Sequence, residues 1–282
     1  MIDTNIKWLH VELSSKCNAW CPACPRNQGG VGIKEGLIEQ DLTINRLTEV
    51  LKALPNLHGV QLCGNFGDPV MSADFMDAIA LIKKNAVKIQ IHTNGSIRNE
   101  QWWQRLGEEL ANVEHDIWFG LDGLAGVHEI YRQGTDFNKI IKNASSFIKA
   151  GGHATWQFIP YAHNEHQVMD CLRLSQKIGF KKFKLTKLFR TKTIVRHYKT
   201  GEQFELSPPI TLSTLVAMPD SRNIVNPDNC MHLSMPSVYL GANGTLSTCC
   251  YKHSEGSFNS IEELLLAKLD LNNVTCKKSC GA

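Results

Sequence analysis

The sequence lacks a long apolar run. No stretch approaches the roughly 20 consecutive apolar residues that a bilayer-spanning helix needs, and the opening MIDTNIKWLHVEL has no apolar stretch of the secretion-signal kind. Charge of one sign is also missing: 30 Lys and Arg against 27 Asp and Glu leave a formal net charge of +3. A nucleic-acid binder usually carries a strongly basic footprint, and an acidic disordered tail the reverse. Neither class is indicated. There is no repeat and no low-complexity tract. These absences lead us to expect a soluble, cytoplasmic protein with no membrane partner. With 282 residues, 43% of them hydrophobic, the chain can bury a core without disulfides. One large domain, or one plus a small appendage, is the natural expectation.

Cysteine, by contrast, is abundant. Ten are present, and a chain this long in a reducing compartment does not need them as staples. They are clustered: Cys17, Cys21 and Cys24 in one run, then Cys230, Cys249, Cys250, Cys276 and Cys280 near the other end. Such clusters point to metal or redox chemistry. The solitary Cys63 and Cys171 read as core residues, with hydrogen-atom donation a minor alternative for Cys63 at its strand end.

Short β-rich runs alternate with amphipathic helical patterns. The runs predict strands over 7–12, 58–63, 87–92, 116–121, 154–159 and 181–188. Between them, Leu47, Val50, Leu51 and Leu54 fall at helical spacing, as do Phe75, Ile79 and Ile82, and Phe137, Ile140, Ile141, Ala144 and Ile148. Gly151 and Gly152 mark a helix stop, and Asn164 reads as an N-cap. Alternation of this kind implies an α/β fold of parallel strands with right-handed crossovers. Six strands are too few for a closed eight-stranded barrel, so a partial (βα)6 TIM-like barrel is expected over 1–205. The run TGEQFELSPPITLS reads as a linker. Residues 206–282, with short strand-like runs (SVYLGA, GTLSTC) and one helix at 259–269, are expected to form a small α+β domain.

Cys17, Cys21 and Cys24 form a CxxxCxxC run directly after the first strand, where parallel α/β folds collect reactive groups. Three cysteines on one loop can hold three irons of a [4Fe–4S] cluster and leave the fourth iron open. A zinc site lacking its fourth ligand, or incidental buried cysteines, are the alternatives on spacing alone.

The run resembles the signature of the radical S-adenosylmethionine superfamily, and further matches follow in order. Gly67-Asp68-Pro69 resembles that family's Gly-Glu-Pro segment, whose acidic residue holds the methionine amino group. His92-Thr93-Asn94-Gly95 resembles its Thr-Asn-Gly turn. Gly120-Leu121-Asp122-Gly123 resembles its Ser-Leu-Asp-Gly segment, with Tyr131, Arg132 and Phe137 matching the helix beyond and Asn164 a recurring polar position. The resemblance covers residues 7 to 190. Two departures stand out. The aromatic residue usual before the third cysteine is Ala23, so adenine packing would fall to Trp20 or a strand-end apolar residue. Asp68 is one methylene shorter than Glu, which a closer loop would offset.

The resemblance implies an enzyme that binds S-adenosylmethionine at the open iron and cleaves it reductively to a 5′-deoxyadenosyl radical, which takes a hydrogen atom from a substrate. It implies that Cys17, Cys21 and Cys24 bind the cluster, that Asp68 holds the amino group, and that Thr93, Asn94 and Asp122 contact ribose or methionine. Arg132 would pair with the carboxylate. Turn chemistry before Gly95 is the competing reading of Thr93 and Asn94, and a helix-surface ion pair that of Arg132.

At the other end, the spacing of Cys230, Gly244 and Cys249, with a closing Cys276-xxx-Cys280, resembles the SPASM/twitch extensions that carry auxiliary clusters. One auxiliary [4Fe–4S] cluster on Cys230, Cys249, Cys276 and Cys280 is the economical reading. A zinc site on the same four thiolates is the alternative. Cys250 would point the opposite way on a strand. Two [4Fe–4S] clusters, S-adenosylmethionine and an electron donor such as flavodoxin or ferredoxin are thus implied. An oxidoreductase is expected, with a bond-forming or epimerising enzyme on a peptide or small molecule and a non-catalytic metal-binding protein as alternatives.

Between 181 and 199, eight basic residues occur without an acidic one: Lys181, Lys182, Lys184, Lys187, Arg190, Lys192, Arg196 and Lys199. They read either as a wall for an anionic substrate or as an edge strand blunted by lysines. The first strand begins almost at residue 1, so a leader peptide would need a separate carrier.

Overall fold

The computed structural model describes residues 6–186, 192–211, 236–250 and 257–266. Six strands run parallel in sequence order: β1 Trp8–Val11, β2 Gly59–Leu62, β3 Lys88–Thr93, β4 Glu114–Gly120, β5 Ala154–Phe158 and β6 Lys182–Leu185. The crossovers carry helices α1 Ile44–Ala53, α2 Phe75–Ile82, α3 Glu100–Leu110, α4 His128–Tyr131, α5 Phe137–Lys149 and α6 Val168–Ile178. All six strands predicted from the sequence are present, each within a few residues of its expected bounds. The partial parallel α/β barrel is the fold.

Local signals account for the helices. Thr43, Asn99 and Asp136 each cap a helix by accepting from a backbone N–H three residues on. Gly151 (φ 97°) follows α5 and Gly179 (φ 102°) ends α6, in the left-handed conformation that glycine adopts without strain. Asn164 does not cap a helix with its side chain. It accepts from Tyr161 N at 2.7 Å and donates to the carbonyls of Asp122 and Ile159, both at 3.0 Å. A loop-bracing amide has taken the place of the expected cap.

Each strand splits its side chains between two faces. Leu9, Val60, Ile89, Ile91, Ile117, Phe119 and Trp156 are fully buried in the core together with Trp103 of α3 and Phe147 of α5. Burying each such side chain contributes about 1.5–3 kcal/mol. The opposite face carries His10, Gln61, His92, Asp116, Trp118, Gln157, Lys182 and Lys184. That polar face and the carboxyl ends of the strands are left for chemistry.

Two features lie beyond the sequence reading. The linker and the basic stretch contain an antiparallel hairpin, β7 Thr193–Arg196 and β8 Gln203–Leu206. Its Val195 and Leu206 are buried against Ala19, Cys21, Tyr131 and Tyr161, a small second core beneath the cysteine loop. Further on, β9 Ser237–Leu240 pairs in parallel with β1, and β10 Leu246–Ser247 pairs antiparallel with β9. These strands extend the main sheet rather than forming a sheet of their own. Gly244 (φ 81°) turns the chain between them. A helix, α7 Ile261–Leu266, follows within the expected 259–269.

Candidate functional site

The loop after β1 crosses the carboxyl ends of the strands and carries Cys17, Cys21 and Cys24. It is held by buried side chains. Arg26 donates to Ser15 O at 2.6 Å and pairs with Glu39, and Asn27 donates to Cys21 O at 3.0 Å. Trp20 N donates to Gln133 O at 2.7 Å. The three thiols line one cavity of about 280 Å³, together with residues 63–68, Thr93, Asn94 and Arg132. Burial pushes the Cys17 thiol well up, with the charge of Asp68 adding to it. Burial likewise raises Cys21 to about 11, against the pull of Arg132.

Three thiols around one cavity match a cluster in which each thiolate takes its own iron. Thiolates are the ligating form, and metal charge would offset the desolvation that opposes ionisation here. Asn27 Oδ1, which is buried beside this cavity, has no hydrogen-bond partner among the described residues. The donor set therefore fits an iron–sulfur group. Among the described residues no three His, Cys, Asp or Glu side chains are grouped for a single metal ion.

Asp68 borders the cavity but is far from idle. Its Oδ1 accepts from Val70 N at 3.0 Å and its Oδ2 from Asn94 N at 2.7 Å, and Thr93 Oγ1 bridges both oxygens at 2.9 and 3.0 Å. Burial raises its carboxyl, while these donors and the charge of Arg132 lower it. These contacts take up most of the about four lone-pair positions of a carboxylate, and Asp68 still lines the cavity. Asp68 also caps the 3₁₀ turn Pro69–Met71. The same carboxylate therefore caps a turn and lines the cavity.

Thr93 and Asn94 shape the turn as well. Gly95 N donates to Thr93 Oγ1 at 3.0 Å and Ser96 N to Asn94 Oδ1 at 2.9 Å. Asn94 Nδ2 reaches Asn18 Oδ1 at 2.9 Å and Cys17 Sγ at 3.8 Å. Turn chemistry is present, and Asn94 also touches the thiol loop.

Arg132 is no helix-surface ion pair. Its Nε donates to Asp122 Oδ2 at 2.6 Å, with Asp122 fully buried. Asp122 Oδ1 accepts from Ile159 N at 2.7 Å. Burial raises the Asp122 carboxyl, against the pull of Arg132. The guanidinium passes over Gly120, where a Cβ would lie 2.8 Å from Nη2. Asp122 thus orients Arg132 and does not itself line the cavity, whereas Arg132 does. His128 completes the set: its Nδ1 accepts from Asp122 N at 3.1 Å, and its Nε2 lies 3.0 Å from Thr135 Oγ1.

Trp20 stacks on Tyr198 with centroids 5.3 Å apart and planes 11° apart. It does not line the cavity. Ala23, like Cys24, Ile159 and Phe204, packs against the second core, which puts apolar surface next to the third cysteine.

In the C-terminal segment, Cys249 and Cys250 lie just past β10, not on it, so strand alternation does not separate them. Ser247 Oγ donates to Cys249 O at 3.1 Å, and Asn65 Nδ2 donates to Cys250 O at 2.7 Å. Cys230, Cys276 and Cys280 lie outside the described residues, as do Lys187 and Arg190. Of the other basic residues, Lys182 pairs with Asp116 at 3.2 Å and Lys192 with Glu205 at 2.7 Å. Lys184 lies over the Trp118 ring at 4.3 Å. Cys171 is buried, whereas Cys63 lines the cavity, with its thiol raised to about 12 by burial.

Sequence reasoning passed over Glu12, Asn18, Arg26, Asn27, Asn65 and Tyr239. Only proximity to the first cysteine and to Gly67 could have flagged any of them.

No family model matches the chain. A curated protein of Pyrococcus furiosus, a tungsten-containing aldehyde ferredoxin oxidoreductase cofactor-modifying protein, is 26% identical over 129 residues, 46% of this chain and 34% of that protein. Streptococcus suis SuiB bound to S-adenosylmethionine superposes with a TM-score of 0.63 over 91% of this chain and 64% of SuiB, at 12% identity. Native anSMEcpe with bound AdoMet and Kp18Cys peptide gives 0.62 over 95% of this chain and 81% of its own length, at 14% identity. SuiB has also been seen bound to precursor peptide SuiA. The chain thus spans about a third of the curated relative and under two thirds of SuiB. Its fold is that of radical S-adenosylmethionine enzymes.

Proposed function

We propose that the chain is a radical S-adenosylmethionine enzyme, with Cys17, Cys21 and Cys24 holding a [4Fe–4S] cluster and the adjoining cavity taking S-adenosylmethionine. The observation that carries this is the meeting of the three thiols with Asp68 and Arg132 around one cavity, at the carboxyl ends of parallel strands. When bound, the cluster supplies the electron that cleaves S-adenosylmethionine reductively, so that a hydrogen atom is taken from a substrate. The chain's own residues bind and orient. Asp68, which lines the cavity, receives the amino group. Thr93 braces that carboxylate. Arg132, its Nε held by Asp122, offers its remaining N–H groups to the carboxylate. Asn94, beside Cys17, faces the methionine or ribose. Ala19 and Tyr131 of the second core, which line the cavity, supply apolar surface for adenine.

The finer reading is an oxidoreductase in the cytoplasm, served by flavodoxin or ferredoxin, with residues 206–282 carrying a second [4Fe–4S] cluster on Cys230, Cys249, Cys276 and Cys280. The hairpin turning at Gly244 supports that segment's resemblance to auxiliary-cluster extensions. A peptide substrate is supported by the peptides bound to SuiB and anSMEcpe.

Anaerobic reconstitution followed by iron and sulfide analysis should give about eight of each, and about four once Cys17, Cys21 and Cys24 are all Ala. The reduced protein should convert S-adenosylmethionine to 5′-deoxyadenosine. Failure of that conversion in a fully loaded protein rejects the proposal in favour of a non-catalytic metal protein. Product mass then separates epimerisation, which leaves it unchanged, from oxidation and from a new bond within the substrate, each a loss of two hydrogens, and fragmentation of the product tells those two apart.

A further inference from the structure

Glu12 sits one residue past β1 and is only 4% exposed. A buried carboxylate is costly unless donors surround it, and three do. Its Oε1 accepts from the backbone N–H of Phe66 at 2.7 Å and of Gly67 at 3.1 Å, and its Oε2 accepts from the Tyr239 hydroxyl at 2.7 Å. Burial and the Glu12 charge push the Tyr239 phenol well up, so it stays a donor. The loop gripped in this way is the stretch Cys63–Asp68, which lines the thiol cavity. It has no slack. A Cβ on Gly67 would lie 1.8 Å from Ser14 O, and one on Gly64 would lie 2.9 Å from Glu12 Oε1. The same loop reaches the C-terminal segment a second time, through Asn65 Nδ2 and Cys250 O at 2.7 Å.

We propose that Glu12 is a positioning residue that clamps the Phe66–Gly67 amides to Tyr239 of β9, and thereby sets how tightly the cavity beside Cys17, Cys21 and Cys24 binds S-adenosylmethionine. The site would then depend on the C-terminal segment through β9, none of whose residues lines the cavity. The proposal rests on the function proposed above in naming the ligand. The clamp itself does not depend on that name. Amides held by an anionic acceptor cannot turn away, so the carbonyls and Asp68 that follow them keep a fixed presentation. Loss of the anion, or of the phenol that fixes its second oxygen, lets the loop relax.

The test uses the full chain, reconstituted anaerobically, as wild type, Glu12→Gln, Tyr239→Phe and Leu106→Ala. The last removes buried α3 core far from the loop, as a stability control. Titration of S-adenosylmethionine against the cluster spectrum should show affinity about 10- to 100-fold weaker for E12Q, the scale of a charge-assisted hydrogen bond, and about 3- to 10-fold weaker for Y239F, less because Tyr239 acts on the loop only through Glu12. Iron content should match wild type. Unchanged affinity in E12Q and Y239F overturns the proposal, and so does an equal loss in L106A. If wild type itself fails to bind S-adenosylmethionine, the ligand reading has failed. The clamp is then judged by hydrogen exchange: faster exchange of the Phe66 and Gly67 amides in E12Q and Y239F upholds it, and unchanged rates overturn it.

Discussion

Asp68 carries two loads at once, and a substitution there should show both. Asp68→Ala removes the acceptor for Val70 N, Asn94 N and the Thr93 hydroxyl. Each buried donor left unpaired costs about 1–3 kcal/mol, so denaturant unfolding should report a clear loss of stability. It also removes a carboxylate that lines the cavity, which under the proposed function should weaken S-adenosylmethionine binding by roughly 10- to 150-fold. Iron content should stay unchanged, since Asp68 is no thiol ligand. Loss of stability with affinity intact would reduce Asp68 to a turn brace. His128 makes a second residue-level prediction. Burial, reinforced by Arg132, lowers its value to about 3. Protonating Nδ1 would also set a proton against the Asp122 N–H that it now accepts. In the unfolded chain the imidazole titrates near its ordinary 6.5. The unfolded state therefore binds the proton first, and stability is lost as pH falls from about 6.5 towards 3. The slope from this one group approaches about 1.4 kcal/mol per pH unit. His128→Gln should flatten the decline of unfolding free energy measured between pH 6 and 4. An equally steep decline would assign it to other groups.

At the scale of elements, the strands that a reader of the sequence would name are those with strong local signals. KWLHVE, VKIQIH and DIWFGL place apolar residues on the core face of parallel strands, and the intervening helices show buried stripes with caps. The hairpin β7–β8 had no such signal. Each of its strands buries one residue of four, Val195 and Leu206, because only one edge of it meets the cysteine loop. Arg196 lies on β7, with Lys192 and Lys199 flanking it, and the basic residues there read either as a binding wall or as a solvated edge. The loop 63–68 is a different case, since its sequence announced a motif but not the tightness of its fit. Gly67→Ala would drive a Cβ into Ser14 O, backbone against backbone, and neither atom can swing aside. Overpacking typically costs about 1–3 kcal/mol. Here the displaced loop should also loosen the cavity. Expected is a protein that folds with a lower melting temperature and binds S-adenosylmethionine weakly by calorimetry. Wild-type affinity in G67A would mean that the loop does not shape the site.

For the whole molecule, the placement of β9 beside β1 joins the two ends of the chain in one sheet. Under the proposed function, only the Cys17, Cys21 and Cys24 cluster starts the reaction, because a four-thiolate cluster has no open iron. A Cys276→Ala, Cys280→Ala variant should therefore still form 5′-deoxyadenosine with a strong reductant while failing to turn over the true substrate. Metal loss can unfold a small metal-binding segment, and here that would reach β9 and Tyr239. Circular dichroism and the spectrum of the remaining cluster identify that case. A folded double variant that forms no 5′-deoxyadenosine would show that radical initiation needs the C-terminal cysteines.

Among the described residues no helix is long and apolar enough to cross a membrane, in keeping with a sequence that has no long apolar run. The sequence by itself determined the alternation of strand and helix, and with it the parallel sheet, because burial periodicity and capping are local. It also determined the cysteine triplet and the order of the motifs around it, because those are matters of spacing. Tertiary structure alone decided the rest. Arg132 became a buried partner of Asp122, 10 residues away, because Gly120 leaves room for the guanidinium. Asp68 became nearly saturated because Thr93 and Asn94, 25 and 26 residues on, end the neighbouring strand. Glu12 met Tyr239 across 227 residues of chain because β9 takes the open edge of β1. Which acceptors a buried charge finds depends on strand order and register, and no local pattern encodes that pairing.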